Sequence, residues 1–382
     1  MLEQTTDQKL YRDSLNRVMT QLATPEYLRR IDHEAAYPYE IYEAWIKLGL
    51  FQIGFPEKYD GIGGDLSDLI LISQDLAYWS YDVYTAYSVP LYTAMTLLKA
   101  GTEEQKQFYL PSLMRGELRL STSISEPSAG SDVSAITSSA RRTEGGWIIN
   151  GQKLWNTAAG ARDNVLQVLV KTDSTVAPRK GMSMFLVPNN SAGVECRKLD
   201  MLGRRATGTY EVFFTDVFVP DNRLLGALNE GWSVLLNCLQ TERLLTSAGY
   251  VGSSQKVVDL SLAYGKERQQ FGKSIAEFQV IAHMLADMQT EVDAARLLME
   301  RAALALIDGK DALREVSMAK LFGSETYAKV ANQGMQIFGA YGHSMEFEIQ
   351  RHFRDSRSTT VGAGSSQMQR NAIAGTLGIK MR

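Results

Sequence analysis

Apolar side chains recur at helical spacing near the start of the chain. The stretches EIYEAWIKLGLFQI (40–53) and DLSDLILISQDLAYWS (65–80) place them three or four positions apart, which predicts amphipathic helices within residues 1–118. Between them, FPEKYDGIGGD (55–65) combines a proline with closely spaced glycines and predicts a loop. Its GIGG lies outside the strand–turn–helix context that a dinucleotide-binding fingerprint requires.

From about residue 119 to residue 226 the pattern changes to short runs rich in β-branched and aromatic residues. Turn residues separate these runs, so a small antiparallel β domain is predicted. The predicted strands are GGWIINGQKLW, NVLQVLVKTD, GMSMFLVP and TYEVFFTDVFVP.

The chain becomes helical again after residue 226. Apolar residues alternate three and four apart over residues 278–299, which is the spacing of a helix bundle. This seam consists of Phe278, Ile281, Leu285, Met288, Val292, Ala295 and Met299. Further helices are predicted at about 233–264, 311–338 and 365–377. The predicted fold class is α+β and mostly α, with an N-terminal helical domain (1–118), a middle β domain (119–226) and a C-terminal four-helix bundle (227–382).

Composition and charge restrict the class of protein. The chain has 382 residues, is 45% hydrophobic and carries a formal net charge of −3, so no basic surface for nucleic acid or anionic lipid is expected. No apolar run approaches the roughly 20 residues of a membrane span. The N-terminus lacks the pattern of a signal or transit peptide, so a cytoplasmic protein is expected. Two cysteines, Cys196 and Cys238, predict neither a disulfide framework nor a metal site.

One acidic residue interrupts an apolar helix face. In GWSVLLNCLQTERLLTSAGYVG, one face consists of Leu235, Cys238, Leu239, Glu242, Leu245 and Gly249. Burial of an ionised carboxylate is costly, so the pKa of Glu242 should rise towards the range that suits a general base. The alternative is a buried Glu242 that pairs with Arg243 or another arginine and has no catalytic role.

The segment SISEPSAGSD (123–132) resembles a signature of the acyl-CoA dehydrogenase family. Other segments that resemble this family follow in order and extend the resemblance over nearly the whole chain. They are NGQKLWNT (150–157), MLGRRATGTYEVFFTDVFVP (201–220), ERQQFGK (267–273), QIFGAYG (336–342), RD (354–355) and SSQMQR (365–370).

The resemblance implies an enzyme that holds FAD between the β domain and the C-terminal bundle. It also implies a homo-oligomer, most often a dimer of dimers (a homotetramer), in which the ERQQFGK arm reaches a neighbouring subunit's cofactor. The matching FAD-binding positions are Ile124, Ser125, Ser131, Trp155, Thr157, Arg268, Gln270, Phe271, Gln336, Gly339, Ser365 and Gln367.

These positions have roles that suit their chemistry. The backbone at Ile124 and Ser125 and the hydroxyls of Ser125 and Thr157 match groups along the flavin edge and at N5. Trp155 matches an aromatic wall on the flavin.

The remaining matches lie along the rest of the cofactor. Arg268 and Gln270 suit the pyrophosphate. Gln336 and Gly339 match the adenosine side, whereas Ser365 and Gln367 match positions at the flavin and its ribityl-phosphate chain.

The usual catalytic base of the family is absent from its loop. The family reaction removes an α-proton from an acyl thioester while a hydride leaves the β-carbon, and most members use a loop glutamate as the base. In VGAGSSQMQR (361–370) the matching position is Ala363, preceded by Gly362. Isovaleryl-CoA dehydrogenase carries its base at the position that matches Glu242. The backbone N–H at Ala363 can still polarise the thioester carbonyl, because no side chain is needed for that hydrogen bond.

The substrate-binding positions implied by the resemblance are Ser131, Gln240, Arg243, Ala363 and Tyr92. Ser131 matches a contact to the pantetheine arm. Many members have Asp where this chain has Gln240, so the carrier is either coenzyme A or an acyl carrier protein. The expected acyl-pocket wall, YWSYDVYTAYSVPLYTAM (78–95), includes Tyr92 and suggests a short or polar acyl group, with ordinary helix packing as the alternative.

The function expected from these features is α,β-dehydrogenation of an acyl thioester by an FAD enzyme, with Glu242 as the base. The electron acceptor would be an electron-transfer flavoprotein or another carrier. One alternative is a relative with altered chemistry: an enoyl-thioester reductase, a desulfinase or a flavin monooxygenase. A second alternative is a flavin-binding scaffold with little activity.

Overall fold

The computed structural model describes residues 4–380, except for the side chains of residues 237 and 238. Cys238, which the predicted apolar face of Glu242 included, therefore has no described side chain. The N-terminal part is helical as expected. Its helices are α1 (Thr6–Leu22), α2 (Pro25–Glu34), α3 (Tyr39–Lys47), α4 (Leu66–Trp79), α5 (Tyr81–Ala100) and α6 (Glu103–Met114).

Capping boxes fix where several of these helices begin. Thr5 caps α1 and Thr102 caps α6, and each exchanges hydrogen bonds with a glutamine at the third helical position. Asp65 caps α4 in the same way, with Asp68 as its partner. Each box satisfies backbone N–H groups that the first helical turn leaves without a partner.

A twisted sheet follows the N-terminal helices. Its strands are β1 (Arg119–Ser123), β2 (Ser139–Thr143), β3 (Gly146–Thr157), β4 (Asn164–Lys171), β5 (Met182–Pro188), β6 (Val194–Lys198), β7 (Thr209–Pro220) and β8 (Leu224–Leu225). The strand order is β6-β7-β3-β2-β4-β5-β8, with β1 on β4.

The sheet is mixed, whereas the sequence suggested purely antiparallel strands. β1 runs parallel to β4, with Arg119 opposite Asn164, and β2 meets β4 in parallel at Ser139 and Lys171. A parallel pair needs a long connection. The chain from β1 to β4 supplies it, because it includes the antiparallel β2–β3 pair.

The C-terminal part consists of helices and one small hairpin. Its elements are α7 (Gly231–Glu267), β9 (Gln269–Gln270), β10 (Lys273–Ser274), α8 (Gln279–Ile307), α9 (Leu313–Phe338), α10 (Ile349–Thr359) and α11 (Ser366–Thr376). The buried face of α8 includes Met288, Val292, Ala295 and Met299, which confirms the predicted seam over those residues.

The core is continuous from the N-terminal helices into the bundle. α7 packs against α8 and α9 on one side and against α4 and α5 on the other. Gly252 allows the close approach of α7 to α4, since a Cβ there would lie 2.1 Å from the carbonyl oxygen of Gln74. The predicted fold class, with helices around a central sheet and a C-terminal helical bundle, is confirmed. Within residues 4–380, no helix has both the length and the apolar character of a membrane span.

Candidate active site

A buried ion pair holds the SISEPSAGSD segment against β3. Lys153 Nζ lies 2.9 Å from a Glu126 carboxylate oxygen, and the two side chains are 0% and 2% exposed. Burial alone would raise the pKa of Glu126, but the Lys153 ammonium and hydrogen bonds from Thr137 and Ser138 lower it to about 2. The segment therefore has a fixed position along the strand.

Hydrogen bonds to β3 also engage backbone groups of the SISEPSAGSD segment. The Ile124 carbonyl accepts a hydrogen bond from Lys153 at 3.0 Å, and the Ser125 carbonyl accepts one from the Leu154 N–H at 2.8 Å. Both carbonyls are thus engaged within the protein. Each carbonyl oxygen keeps one lone pair, and Ser125 adds a hydroxyl that can donate or accept. Ser131 lies further along the segment and is exposed.

Trp155 and Thr157 lie where β3 becomes irregular. The pairing of β3 with β7 shifts register between Lys153 and Asn156, and Trp155 has a φ of 65°. A left-handed conformation is rare for a residue of this size. Its indole is 56% exposed, which places a large aromatic surface beside the C-terminal end of the strand.

Arg204, which lies in the 201–220 segment but was not among the predicted site residues, contacts this region. Its Nη2 donates to the Thr157 hydroxyl oxygen at 2.9 Å, and its backbone N–H donates to a carboxylate oxygen of Asp355 at 2.6 Å. Burial, followed by the nearby charge of Asp82, raises the pKa of Asp355. No periodic pattern in the sequence marks Arg204. The neighbouring Gly203 packs so closely on α10 that a Cβ there would lie within 3 Å of the backbone of Arg354 and Asp355.

Glu242 lies on α7 and is partly buried. Desolvation raises its pKa to about 7, and the opposing effects of the Arg243 and Lys320 charges only partly offset the shift. Lys320 is fully buried, and its ammonium donates to the Thr359 carbonyl at 2.9 Å. A carboxyl group with this pKa can both accept and donate a proton near neutral pH.

The loop from Val361 to Gly364 lies beside the same turn of α7. Arg243 Nη2 is 3.4 Å from the point that a Cβ on Gly364 would occupy. Gln369 donates to the carbonyls of Ala363 and Gly364 at 3.3 and 2.9 Å. The structure therefore brings Arg243, the residue after Glu242, together with the loop that contains Ala363.

The hairpin formed by β9 and β10 projects from the end of α7. At its tip Phe271 is 93% exposed, and Gln270 beside it is also exposed. Arg268 is partly buried, with its guanidinium 5.5 Å from the centre of the Tyr341 ring. Gln336 and Gly339 are exposed near the C-terminal end of α9, and Gly339 has a φ of 60°. The exposed tip of the hairpin is available to a second chain.

The other predicted site residues lie on α11 or in the turn before it, on α7 and on α5. Ser365 caps α11, because its hydroxyl accepts the Met368 N–H, and Gln367 beside it is exposed. Gln240 is partly buried on α7, and Tyr92 is buried on α5.

Two other tyrosines of the predicted pocket wall pack in the core. The hydroxyl of Tyr84 donates to the Leu245 carbonyl, and that of Tyr87 donates to the Leu50 carbonyl. For these two residues, ordinary helix packing explains the pattern.

Family models of three consecutive domains match most of the chain. The acyl-CoA dehydrogenase N-terminal domain matches residues 5–117, the middle domain matches residues 121–217, and the C-terminal domain matches residues 229–378. The chain belongs to the acyl-CoA dehydrogenase family. It is therefore an oxidoreductase that acts on a CH–CH group, and its cofactor is FAD.

Individual relatives align with this chain over most of their length. The caffeyl-CoA reductase–Etf complex subunit CarC of Acetobacterium woodii is 35% identical over 97% of this chain and 96% of its own. The 3-(aryl)acrylate reductase of Clostridium sporogenes is 35% identical over 91% of this chain and 92% of its own. The solved structure of butyryl-CoA dehydrogenase from Megasphaera elsdenii superimposes with a TM-score of 0.94 at 29% identity, covering 99% of this chain and 100% of that one.

The residues around Trp155 fit a flavin. An exposed indole near the end of a strand can cover one face of a planar ring system. Thr157 has a hydroxyl hydrogen to donate, because the bond from Arg204 uses only an acceptor site on its oxygen. At the C-terminal end of α9, a Cβ on Gly339 would meet nothing within 4 Å, so a ligand could approach the backbone closely there.

Proposed function

We propose that the protein catalyses α,β-dehydrogenation of an acyl thioester, with Glu242 as the base that removes the α-proton. The observation that carries the proposal is the position and pKa of this one carboxyl group. It is partly buried, its pKa is raised to about 7, and it lies on the turn of α7 that meets the 361–364 loop. The loop itself supplies no carboxylate, because residue 363 is alanine.

The chain's own residues account for activation of the substrate. A thioester α-proton is weakly acidic, so its removal requires a base on one side and a hydrogen-bond donor at the carbonyl oxygen. We assign the donor to the backbone N–H of Ala363. Gln369 supports this assignment, because its side-chain amide donates to the carbonyls of Ala363 and Gly364 and thereby fixes the loop backbone.

The chemistry that FAD supplies when bound is acceptance of the hydride from the β-carbon. Trp155 would cover one face of the flavin, and the backbone of Ile124 and Ser125 would bind its edge. The Ser125 hydroxyl would bind beside them, and the Thr157 hydroxyl would lie at flavin N5. Ser365 and Gln367 would lie along the ribityl-phosphate chain.

The pyrophosphate and adenosine would be held by the projecting arm and the end of α9. The arm contributes Arg268, Gln270 and Phe271, and α9 contributes Gln336 and Gly339. We propose that the arm serves the site of a second copy of this chain, in a dimer of dimers.

Enoyl-thioester reduction is the second candidate function. Two relatives that match over nine tenths of the chain are named as a caffeyl-CoA reductase complex subunit and a 3-(aryl)acrylate reductase. A carboxyl group with a pKa of about 7 suits this direction as well, because its protonated form can return a proton to the α-carbon. The identity of the base would be the same in both directions, and the electron partner would set the direction.

The substrate carrier and the electron partner complete the proposal. Ser131 is exposed and suits the pantetheine arm, whereas Gln240, Arg243 and Tyr92 would contact the substrate deeper in the cleft. Coenzyme A and an acyl carrier protein both present this arm. Because one relative is named as part of an Etf complex, an electron-transfer flavoprotein is the proposed partner.

Anaerobic mixing with a panel of thioesters tests the proposal. Saturated acyl-CoA thioesters should bleach the flavin absorbance if dehydrogenation is the function. Photoreduced enzyme should be reoxidised by enoyl-CoA thioesters, including aryl-substituted ones, if reduction is. No spectral response to any thioester, in either redox state, would contradict both functions and favour a scaffold or the altered chemistries.

A further inference from the structure

Arg204 lies where the three parts of the chain meet. It belongs to the loop between β6 and β7, and its backbone has a φ of 56°. On one side its backbone N–H donates to Asp355 of α10 at 2.6 Å. On the other side its guanidinium donates to Thr157 at the end of β3 at 2.9 Å.

The loop around Arg204 is fixed by its backbone. The Asp82 carboxylate, at the start of α5, accepts the N–H groups of Ala206 at 2.7 Å and Thr207 at 3.0 Å. On the other side of Arg204, Gly203 packs so closely on α10 that a Cβ would lie 2.7 Å from the carbonyl oxygen of Arg354. None of these contacts uses the Arg204 side chain, so its replacement should leave the loop in place.

The chemistry of the two side chains decides the direction of their hydrogen bond. A guanidinium can only donate, so the Thr157 oxygen must be the acceptor. Thr157 has a single hydroxyl hydrogen, and that hydrogen is directed away from Arg204. The bond to Arg204 therefore leaves the hydroxyl hydrogen to be donated to a group other than Arg204.

We infer that Arg204 is a positioning residue that commits the Thr157 hydroxyl to donate a hydrogen bond to flavin N5. This inference rests on the proposed function, because it takes Thr157 to lie at N5. The unprotonated N5 of the oxidised flavin is an acceptor, so the committed hydroxyl matches it. The positive charge behind Thr157 also favours the electron-rich reduced flavin, and it should raise the midpoint potential.

A double-mutant cycle on the FAD-loaded enzyme tests this inference. Arg204→Met and Thr157→Val are made singly and together, and fold and FAD content are checked by circular dichroism and absorbance. The readouts are the midpoint potential of the bound flavin, measured anaerobically with redox dyes, and the rate of flavin reduction by the best thioester.

Arg204→Met should lower the midpoint potential and slow flavin reduction roughly tenfold to hundredfold, as expected for loss of a charged hydrogen bond. In the Thr157→Val background the same change should slow flavin reduction little further. It should lower the midpoint potential by less than it does in the parent, because only the effect of the charge remains. Arg204→Lys should fall between the parent and Arg204→Met, because it keeps the charge without the planar fork.

The inference is overturned if Arg204→Met leaves both readouts unchanged, or shifts them equally with and without the Thr157 hydroxyl. If Thr157→Val alone changes neither readout, the proposed position of Thr157 at the flavin is wrong as well. If Thr157→Val changes them and Arg204→Met does not, only the role of Arg204 is wrong. Should Arg204→Met fail to fold, Arg204→Leu, which also lacks a hydrogen-bond donor, replaces it in the cycle and the same outcomes decide.

Discussion

The Arg243 side chain on α7 lies beside Gly364, in the loop that contains Ala363. The guanidinium Nη2 lies 3.4 Å from where a Cβ on Gly364 would be, and Gly364 has a φ of 81°. Only glycine adopts this conformation without strain. The helix that contains Glu242 is therefore close to the loop that contains Ala363. A side chain at residue 364 should disturb this arrangement.

Gly364→Ala should destabilise the protein by about 1–2 kcal/mol, because a side chain strains the left-handed backbone. The new Cβ would also lie 2.8 Å from Gln369 Nε2, the atom that holds the loop carbonyls. We therefore expect weaker thioester binding, seen as a higher KM. Gly375→Ala on α11 is the control, since a Cβ there meets nothing within 4 Å. Equal effects of the two changes would contradict the assignment of the loop.

Lys153→Met should lower the free energy of unfolding by about 3–5 kcal/mol, because it leaves the Glu126 carboxylate buried without its partner. Urea unfolding at neutral pH measures this change. Lys310→Met removes an equivalent but exposed ion pair with Asp308, and it should cost less than about 1 kcal/mol. If the two variants are equally stable, the ion pair does not hold the segment in place.

The helices and strands that the sequence predicted are those with a regular apolar period. The seam of α8 and the strands β3, β4, β5 and β7 are in this group. α10 was not predicted as a helix, because its buried face includes Arg351, His352 and Asp355. Hydrophobic periodicity does not detect a helix whose buried face is polar.

The sequence predicted those site residues whose role follows from their own side chain and its immediate sequence context. Glu242 was identified because one acidic residue interrupts an apolar stripe, and its raised pKa agrees with that reasoning. Arg204 was missed because its partners, Thr157 and Asp355, lie far from it in the sequence. Its role depends on a left-handed loop and on close packing at Gly203, neither of which has a periodic signature.

Phe271→Ser should weaken both self-association and FAD retention, because the exposed arm is proposed to complete the site of a second copy. Light scattering measures the mass of the assembly, and absorbance after dialysis measures bound flavin. Phe108→Ser removes another exposed phenylalanine, 61% exposed on α6, and should leave flavin content unchanged. A parent protein that is a stable, FAD-replete monomer of 42.5 kDa would contradict the role of the arm.

The raised pKa of Glu242 predicts a pH dependence of flavin reduction. The base must be ionised, so the rate should fall as the pH drops below about 7 and should approach a plateau above it. Enoyl-thioester reduction needs the protonated form of Glu242, so the rate of that reaction should fall as the pH rises above about 7. A rate that is flat from pH 5 to pH 9 would indicate that Glu242 is not the titrating group.

The same shift has a consequence for stability. The folded protein binds the Glu242 proton up to about pH 7, whereas an unfolded chain releases it near the ordinary value of 4.5. The unfolded state therefore binds fewer protons between these values, and the contribution of Glu242 to stability declines as the pH rises from 4.5 to 7. Above pH 7, Glu242→Gln should therefore raise the melting temperature.

Moving the base tests whether the loop and α7 face the same carbon. Ala363→Glu alone should not raise activity, because two carboxylates at short range favour protonation of one of them. Glu242→Gln combined with Ala363→Glu should recover part of the rate that Glu242→Gln loses. No recovery, with FAD and thioester binding intact, would place the loop away from the α-carbon.

The most direct test of the account is the rate of anaerobic flavin reduction in Glu242→Gln with the best saturated thioester. Glutamine keeps the size of the side chain but cannot accept the proton, so the rate should fall by about 10²–10⁴ or more while FAD and thioester still bind. Glu26→Gln, at an exposed position in the first turn of α2, should reduce its flavin at the parent rate. If Glu242→Gln also reduces its flavin at the parent rate, Glu242 is a structural residue and the proposed mechanism is wrong.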